Sequence, residues 1–428
     1  MTDIGLEVHK NVENVELEVH KYRLTSSESQ GDLMEKIEEN LRLHKDLERL
    51  KLRIDVHNKN KKWDKYKRFC NEYELVFTST LESIGVAGIN PVSRSFFKLH
   101  EMIHDFRDVH PSMKRLTSPE PIKGVFVGEG PGGFVEALCY LREFSEFPRD
   151  FLYGMTLINP RNKSIPEWKL TSSSLRGNSF TIVKGIDGTG DLYNMKNVDA
   201  LVTTVGANQA HLVTADGGFD FSDFFTTQEE VSFRLISSEI FAALRLLIRG
   251  GVFFLKVYDV SLPETLHLVS LLVRSFDDVY VSKPKSSRSA NSEKYLVCMG
   301  YRGPDSQEIS RLRRFLTHYP LNSKDIRQYH RQFLTPTPQS ENPQSENPHA
   351  PQSQTPHAPQ TLLSTSSVIE MNRAFIDRQS KCIQKTIDFI GEIDSMVEKE
   401  RQAVTSRTLA RQVESAKEWC RYYGIPTI

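Results

Sequence analysis

The stretch Val125-Phe-Val-Gly-Glu-Gly-Pro-Gly-Gly-Phe134 decides how this chain is read. An apolar β-branched run enters a glycine-rich turn, and the turn opens into residues 133–144, whose apolar positions have helical spacing. Glycine permits a tight turn and lets a ligand approach the backbone closely. The helix start beyond it offers free amide donors. The glycine spacing is not the six-residue dinucleotide fingerprint with an acidic residue about twenty further on, and Gly-Lys-Ser/Thr is absent, so a nicotinamide oxidoreductase and a P-loop NTPase are both disfavoured. Taken alone, the turn reads equally well as a tight strand–helix connection.

Working outward, short apolar runs alternate with helical patterns between residues 91 and 302. The runs are 124–128, 151–157, 180–184, 211–215, 251–257, 278–281 and 294–299, with helical spacing at 133–144 and 231–249. This alternation predicts an α/β domain with a mainly parallel sheet and helices on both faces. The last two runs lie too close for a helix between them. An antiparallel pair is expected there, joined by a loop over 282–293.

Three further segments carry chemistry. Ala215-Asp216-Gly217-Gly218 ends an apolar run, the place where ligands bind in open parallel sheets, although an ordinary Asp-Gly turn reads the same way. Phe253-Phe-Leu-Lys256-Val-Tyr puts a lysine inside an apolar run, which is costly unless the amine is paired. Such a lysine is either a base whose pKa burial has lowered or a side chain snorkelling at a strand end. Lys283-Pro-Lys285-Ser-Ser-Arg288-Ser-Ala-Asn-Ser-Glu293 is a basic, serine-rich loop ending in a glutamate at the start of an apolar run. It is either a phosphate-holding loop or a mobile surface loop.

The chain has 428 residues, enough for two or three domains, with 38 % hydrophobic and 26 % charged residues. Lysine plus arginine and aspartate plus glutamate both number 55, so the formal net charge is zero and a globally basic nucleic-acid coat is excluded. Any nucleic-acid contact must come from a local patch. No run approaches ~18 apolar residues, so no transmembrane helix is expected. The five cysteines form no Cys-x-x-Cys pair, so neither a zinc nor a disulfide framework is expected. No secretory leader or myristoylation signal is read at the N-terminus. A soluble protein of a reducing compartment is expected.

The flanks read differently. Residues 1–90 are charged and mainly helical, with a brief self-similarity between Leu6-Glu-Val-His-Lys10 and Leu17-Glu-Val-His-Lys21. The run 51–68 is basic and holds Trp63 and Tyr66; it is read as a solvated helix face or as an RNA-phosphate footprint with stacking rings. Residues 303–334 are a basic helical extension containing Arg311, Arg313 and Arg314. Residues 335–361 are a low-complexity linker of Pro, Gln, Ser and Asn. Residues 362–428 carry an apolar helical stripe expected to pack on the α/β domain or on a partner.

Taken together, the pieces within 91–301 resemble the FtsJ-like ribose 2′-O-methyltransferases, and within them the Adrift-type cap methyltransferases and their relatives in large cytoplasmic DNA viruses. Ser93-Arg-Ser-Phe-Phe-Lys98 is similar to the segment bearing that family's first lysine, Thr214-Ala-Asp216-Gly to its aspartate segment, Phe254-Leu-Lys256 to its second lysine, and Ser287-Arg-Ser-Ala-Asn-Ser-Glu293 to its glutamate and preceding loop. The resemblance implies a Rossmann-like methyltransferase fold with one antiparallel strand. It implies a tetrad of Lys98, Asp216, Lys256 and Glu293, with Lys256 deprotonating or orienting a ribose hydroxyl. It implies S-adenosylmethionine as cofactor, held by Gly128, Glu129, Gly130, Pro131, Gly132, Gly133 and Phe134, with Asp216 facing the sulfonium; Asp187 is either an acid for the adenine amino group or part of an ordinary turn at Asp187-Gly188. One departure is visible: Leu152-Tyr-Gly-Met-Thr156-Leu-Ile-Asn159 ends without the acid that usually holds the cofactor ribose, leaving Thr156 or Asn159 as its replacement. The expected substrate is RNA, at the 5′ cap region of mRNA, along a path of Arg94, Lys283, Lys285 and Arg288. No metal is expected. The alternatives are methylation of ribosomal or transfer RNA and a silent scaffold that keeps the fold. A subunit of the capping machinery is the partner implied for the C-terminal helices, and a cytoplasmic location, or a virion if the protein is viral, is implied with it.

Overall fold

In the computed structural model, the residues described are 21–27, 33–58, 62–77, 85–143, 149–219, 227–320, 326, 328–330, 362–363 and 365–428. The low-complexity stretch 335–361 lies outside them, and so does the 6–21 self-similarity apart from Lys21. Before the core come strands β1 (Lys21–Leu24) and β2 (Ser26–Ser27) and helices α1 (Leu33–Asn58) and α2 (Lys62–Phe69). Then follow α3 (Ser95–Phe106), α4 (Pro111–Leu116), β3 (Lys123–Val127), α5 (Gly133–Leu141), β4 (Phe151–Met155), α6 (Ser172–Leu175), β5 (Ser179–Ile182), α7 (Met195–Val205), β6 (Ala210–Ala215), α8 (Gln228–Leu246), β7 (Leu247–Val257), α9 (Pro263–Ser275), β8 (Phe276–Ser282) and β9 (Lys294–Tyr301). Helices α10 (Ser306–Thr317), α11 (Thr365–Ser395) and α12 (Glu398–Tyr422), with the short strand β10 (Leu362–Leu363), complete the chain.

Eight of the described strands form one sheet in the order β1-β8-β9-β7-β6-β3-β4-β5. The pairs among β5, β4, β3, β6 and β7 are parallel. Strand β9 inserts antiparallel between β7 and β8, as the short 282–293 connection requires. Strand β1 adds an antiparallel edge on β8 that its charged, four-residue sequence did not reveal. Strand β7 begins at Leu247, before the expected 251, where the chain leaves α8 directly and the pairing with β6 shifts register.

Period-2 alternation along β7 sorts its side chains onto two cores. Phe253, Leu255 and Val257 pack in the cluster under α7, α8, α9 and α10, whereas Val252 and Phe254 pack with Phe96, Phe97 and Leu138 of α3 and α5. A third cluster joins Leu47 and Ile54 of α1, Trp63 and Tyr66 of α2, and Ile383, Ile387 and Ile390 of α11, with Ala290 from the 282–293 loop. Trp63 and Tyr66 are therefore buried between helices rather than displayed on a solvated face. Much of the basic run is engaged between helices too: Lys62 meets Asp394, Arg53 donates to Gln384, and Lys51 meets Asp259. No helix among the described residues is long and apolar enough to cross a membrane.

Candidate active site

The sheet topology places the functional segments. Parallel strands β3, β4, β6 and β7 end at the same edge, so Gly128, Thr156, Asp216 and Lys256 arrive together. By alternation Lys256 shares the face of Phe254, which packs toward α3, and α3 carries Lys98. Register sets Lys256 opposite Tyr295 on β9, two residues past Glu293.

The four tetrad residues form two ion pairs. Lys98 Nζ lies 2.8 Å from Glu293 Oε1 and donates to Oε2 at 2.9 Å. Lys256 Nζ donates to the Asp216 carbonyl at 2.6 Å and lies 3.2 Å from Asp216 Oδ1. Tyr295 joins the pairs: its hydroxyl donates to Asp216 Oδ1 at 2.7 Å and accepts from Lys98 Nζ at 3.4 Å. Ser287 Oγ steadies Glu293 by donating to Oε1 at 2.7 Å. Tyr295 was not singled out from sequence. Its position one step inside the strand that follows the glutamate was the available clue.

The electrostatics settle a balance that sequence could not. Burial alone would push the Lys256 ammonium down, but Asp216, with Tyr258 and Glu293, outweighs burial and holds its pKa above the ordinary lysine range. Burial likewise opposes the Glu293 charge, and Lys98, Lys256 and Lys283 outweigh it, holding that carboxyl well below its usual range. Two acids behind the site go the other way. Burial pushes Glu239 up to about 8, and burial with Asp216 raises Glu129 well above normal. Glu239 Oε1 accepts from Gly217 N at 3.2 Å, and Glu129 Oε1 from Thr214 Oγ1 at 2.6 Å. Glu239, buried mid-helix in α8, carried no sequence clue.

A cavity of about 940 Å³ opens at this edge, lined among others by Gly128, Gly130, Pro131, Thr156, Leu157, Asp191, Leu192, Asp216, Lys256 and Glu293. The turn needs its glycines for close approach. Gly128 has φ +67°, and a Cβ at Gly130 would meet the Pro166 carbonyl oxygen at 2.2 Å. Not every residue expected in the cradle lines it. Gly132 packs against Leu170, Gly133 against Ser93 and Ser95, and Phe134 against the Tyr295 ring at 5.9 Å, while Glu129 is buried against Thr214. The turn doubles back, so its second half faces α3 and the 166–170 segment.

Asp187 stands just beyond the main cavity, in an adjoining pocket that shares Leu157 and Asp191 with it. Its carboxylate accepts from Thr189 and Asn194 in its own loop and from Asn197 of α7, which hold it well below the usual range. Asp191, from the same loop, is the carboxylate that lines the cavity. Thr156 lines the cavity as well, whereas Asn159 turns back to accept from Arg161 N at 3.1 Å.

The basic residues expected along an RNA path are mostly engaged internally. Lys283 is buried, donates to the carbonyls of Asn291 and Glu293 at 2.7 Å each, and burial lowers it to about 7. Arg288 grips Glu74 with two hydrogen bonds at 2.9 and 2.7 Å. Arg94 reaches the cavity wall but donates to the carbonyls of Tyr73, Glu74 and Ser286. Lys285 sits over the Tyr73 ring at 5.7 Å. Intramolecular acceptors took these cations because the 282–293 loop is built into the fold. Lys51, Trp63 and Lys67 from the N-terminal helices and Gln379 from α11 complete the cavity wall beside Glu293.

The model of the FtsJ-like methyltransferase family matches residues 91–301. Over 215 residues, 49 % of this chain, the sequence is 39 % identical to the Trypanosoma cruzi (strain CL Brener) protein named cap-specific mRNA (nucleoside-2'-O-)-methyltransferase 1, covering 57 % of it. It is 34 % identical over 175 residues to the Homo sapiens protein of the same name, covering 40 % of this chain and 20 % of that protein. A Mus musculus protein named cap-specific mRNA (nucleoside-2'-O-)-methyltransferase 2 is 33 % identical over 181 residues, 42 % of this chain and 24 % of its own length. The matched region thus spans about half the length of the Trypanosoma relatives. The match ends with β9 and takes in the glycine cradle, both ion pairs and every strand of the sheet but β1, and residues 91–301 are an FtsJ-like methyltransferase domain.

Proposed function

We propose that this chain is an S-adenosylmethionine-dependent RNA ribose 2′-O-methyltransferase acting at the 5′ end of capped mRNA. The observation that carries the reading is the pairing of Lys98 with Glu293 and of Lys256 with Asp216, with Glu293, Lys256 and Asp216 lining one glycine-walled cavity. The names of the matched relatives support the cap as the substrate region.

The cavity suits the cofactor. Gly128, Gly130 and Pro131 allow close backbone approach, Leu157 and Leu192 offer an apolar wall for a base, and Thr156 and Asp191 offer polar atoms for ribose hydroxyls. Asp216, on the wall of the same cavity, would face the sulfonium of a bound cofactor. When bound, S-adenosylmethionine supplies the activated methyl group.

The chain's own residues prepare the acceptor. Lys256 presents an ammonium at the strand end, aimed by Asp216, which orients a ribose 2′-oxygen by donating to it. Glu293, held by Lys98 from α3, lines the same cavity. The ribose hydroxyl must lose its proton as the methyl arrives, and an ammonium cannot accept it. If Lys256 takes that proton, its neutral form is the active one. Because its pKa stands above the ordinary ~10.4, that form grows about tenfold per pH unit through the neutral range. We therefore expect kcat/KM for the cofactor, at saturating RNA, to climb with near-unit slope from about pH 6 to 9 without levelling. A plateau below pH 8 would assign the proton to another group.

The substrate test is tritiated methyl transfer to three matched RNAs: one with a methylguanosine cap, one with an uncapped triphosphate, and one capped and already 2′-O-methylated at its first nucleotide. Transfer to the first, with little to the second, is the expected result. Loss of transfer to the third places the methyl on the first nucleotide. Equal transfer to capped and uncapped RNA would sink cap specificity.

A further inference from the structure

Glu74 lies outside the matched domain, in the single 3-10 turn Glu74–Val76, with its side chain only 2 % exposed. It accepts from Arg288 Nε at 2.9 Å, from Arg288 Nη2 at 2.7 Å and from Asn71 Nδ2 at 2.8 Å. Arg94 Nη1 lies 3.5 Å from the same carboxylate and donates to the Glu74 carbonyl at 2.9 Å. Burial opposes the Glu74 charge, but Arg288 and Arg94 outweigh it and hold the carboxyl below its usual range.

The two arginines belong to different catalytic segments. Arg94 immediately precedes α3, which carries Lys98, and its Nε donates to the Ser286 carbonyl at 2.9 Å. Arg288 follows Ser287, whose hydroxyl holds Glu293. One buried carboxylate therefore stands between the two segments that must meet for Lys98 to pair with Glu293. The turn bearing Glu74 is itself fixed from the C-terminus: Gln412 of α12 donates to the carbonyls of Arg68 at 2.7 Å, Phe69 at 3.2 Å and Asn71 at 2.6 Å.

We propose that Glu74 is a positioning residue for the Lys98–Glu293 pair, and that α12 and the segment 68–76 serve as the frame that holds it. The kinetic part of the test rests on the methyl-transfer reading above; the spectroscopic part does not.

The test uses the full chain. Glu74→Gln keeps the shape and removes the charge, turning an amide donor toward guanidiniums that need acceptors. Arg288→Lys keeps the charge but loses the two-pronged fork. For Glu74→Gln we expect kcat about 30-fold lower, below the ~10²-fold that a 1 Å misplacement can cost. Arg288→Lys should fall about fivefold. The KM for S-adenosylmethionine and the affinity for S-adenosylhomocysteine should stay within about twofold, because other groups hold the cradle. Titration with S-adenosylhomocysteine counts folded sites, so lost fold is not mistaken for lost kcat. The second readout is the Lys98 side-chain resonance in lysine-labelled protein, assigned by its disappearance in Lys98→Arg. It should move in Glu74→Gln and Arg288→Lys in the same direction as in Glu293→Gln. An unmoved resonance with kcat within twofold of wild type would overturn the proposal. If Glu74→Gln does not fold, Arg288→Lys decides by the same two criteria. If wild type methylates no RNA, the functional reading fails, and the resonance alone decides the positioning role.

Discussion

Lys256→Ala is expected to lower methyl transfer about 10³-fold, within the range typical of losing a positioned acid or base. The substitution removes the Nζ that couples the end of β7 to Asp216 by a 2.6 Å hydrogen bond to its carbonyl and a 3.2 Å ion pair to its carboxylate. Cofactor binding should survive, since Gly128, Gly130 and Thr156 are untouched and Asp216 keeps the Tyr295 hydroxyl at 2.7 Å. The loss should therefore appear in kcat, with S-adenosylhomocysteine affinity changed less than about threefold. Lys256→Met, which retains the buried stem volume, should be equally inactive and separates lost chemistry from a lost contact. A variant retaining a tenth of wild-type turnover would remove Lys256 from the centre of the mechanism.

Arg142→Ala should cost about 3–5 kcal/mol of stability, the usual consequence of taking one partner from a buried charge pair. The guanidinium is 2 % exposed and grips Asp150 through Nε at 2.7 Å and Nη2 at 2.9 Å. It also donates to the carbonyls of Leu116 and Ser118 at 2.9 Å each and of Glu120 at 2.6 Å. Those carbonyls form the turn between α4 and β3, and Asp150 sits immediately before β4. Alanine would leave Asp150 buried with the Ile122 amide at 2.9 Å and Asn178 at its own amide, and the turn without its donor. Chemical denaturation should show a lower midpoint with an unchanged slope. A shift worth less than about 1 kcal/mol would show that water replaces the guanidinium at no great cost.

Both predictions rest on residues that sequence reveals unequally. Lys256 was legible because a lysine within Phe253-Phe-Leu-Lys-Val is conspicuous in an otherwise apolar strand. Arg142 was not, because an arginine at the end of a helical pattern normally faces water. The parallel strands, their helices and the antiparallel return were legible from periodicity and loop length. Strand β1 was not, because an edge strand needs only four residues and one buried side chain, Leu24.

The site divides along the same line. Asp216, Lys256 and the glycines at 128 and 130 could be read from sequence because each departs from its local pattern. Glu293 stood out as the acid closing a basic loop, Lys98 emerged from the resemblance, and their contact at 2.8 Å depends on α3 and the start of β9 coming together. Arg94, Lys283 and Arg288 were read as free cations because sequence shows charge and not neighbours. Glu74 and the carbonyls around 286–293 neutralise or saturate them. The sign of the Lys256 shift is of the same kind, since burial and Asp216 oppose each other and only their separation decides between them.

What the amino-acid sequence determined by itself is therefore local: the strand–turn–helix at 125–134, the alternation around it, and the residues that local pattern makes improbable. Periodicity and steric limits act over a few residues, so they can be read without a fold. Which cradle residues face the cavity, which cations remain available, and which distant carboxylate braces the Lys98–Glu293 pair were decided only by tertiary structure. Coulomb attraction and desolvation depend on distances between segments far apart in the chain, and packing alone sets those distances.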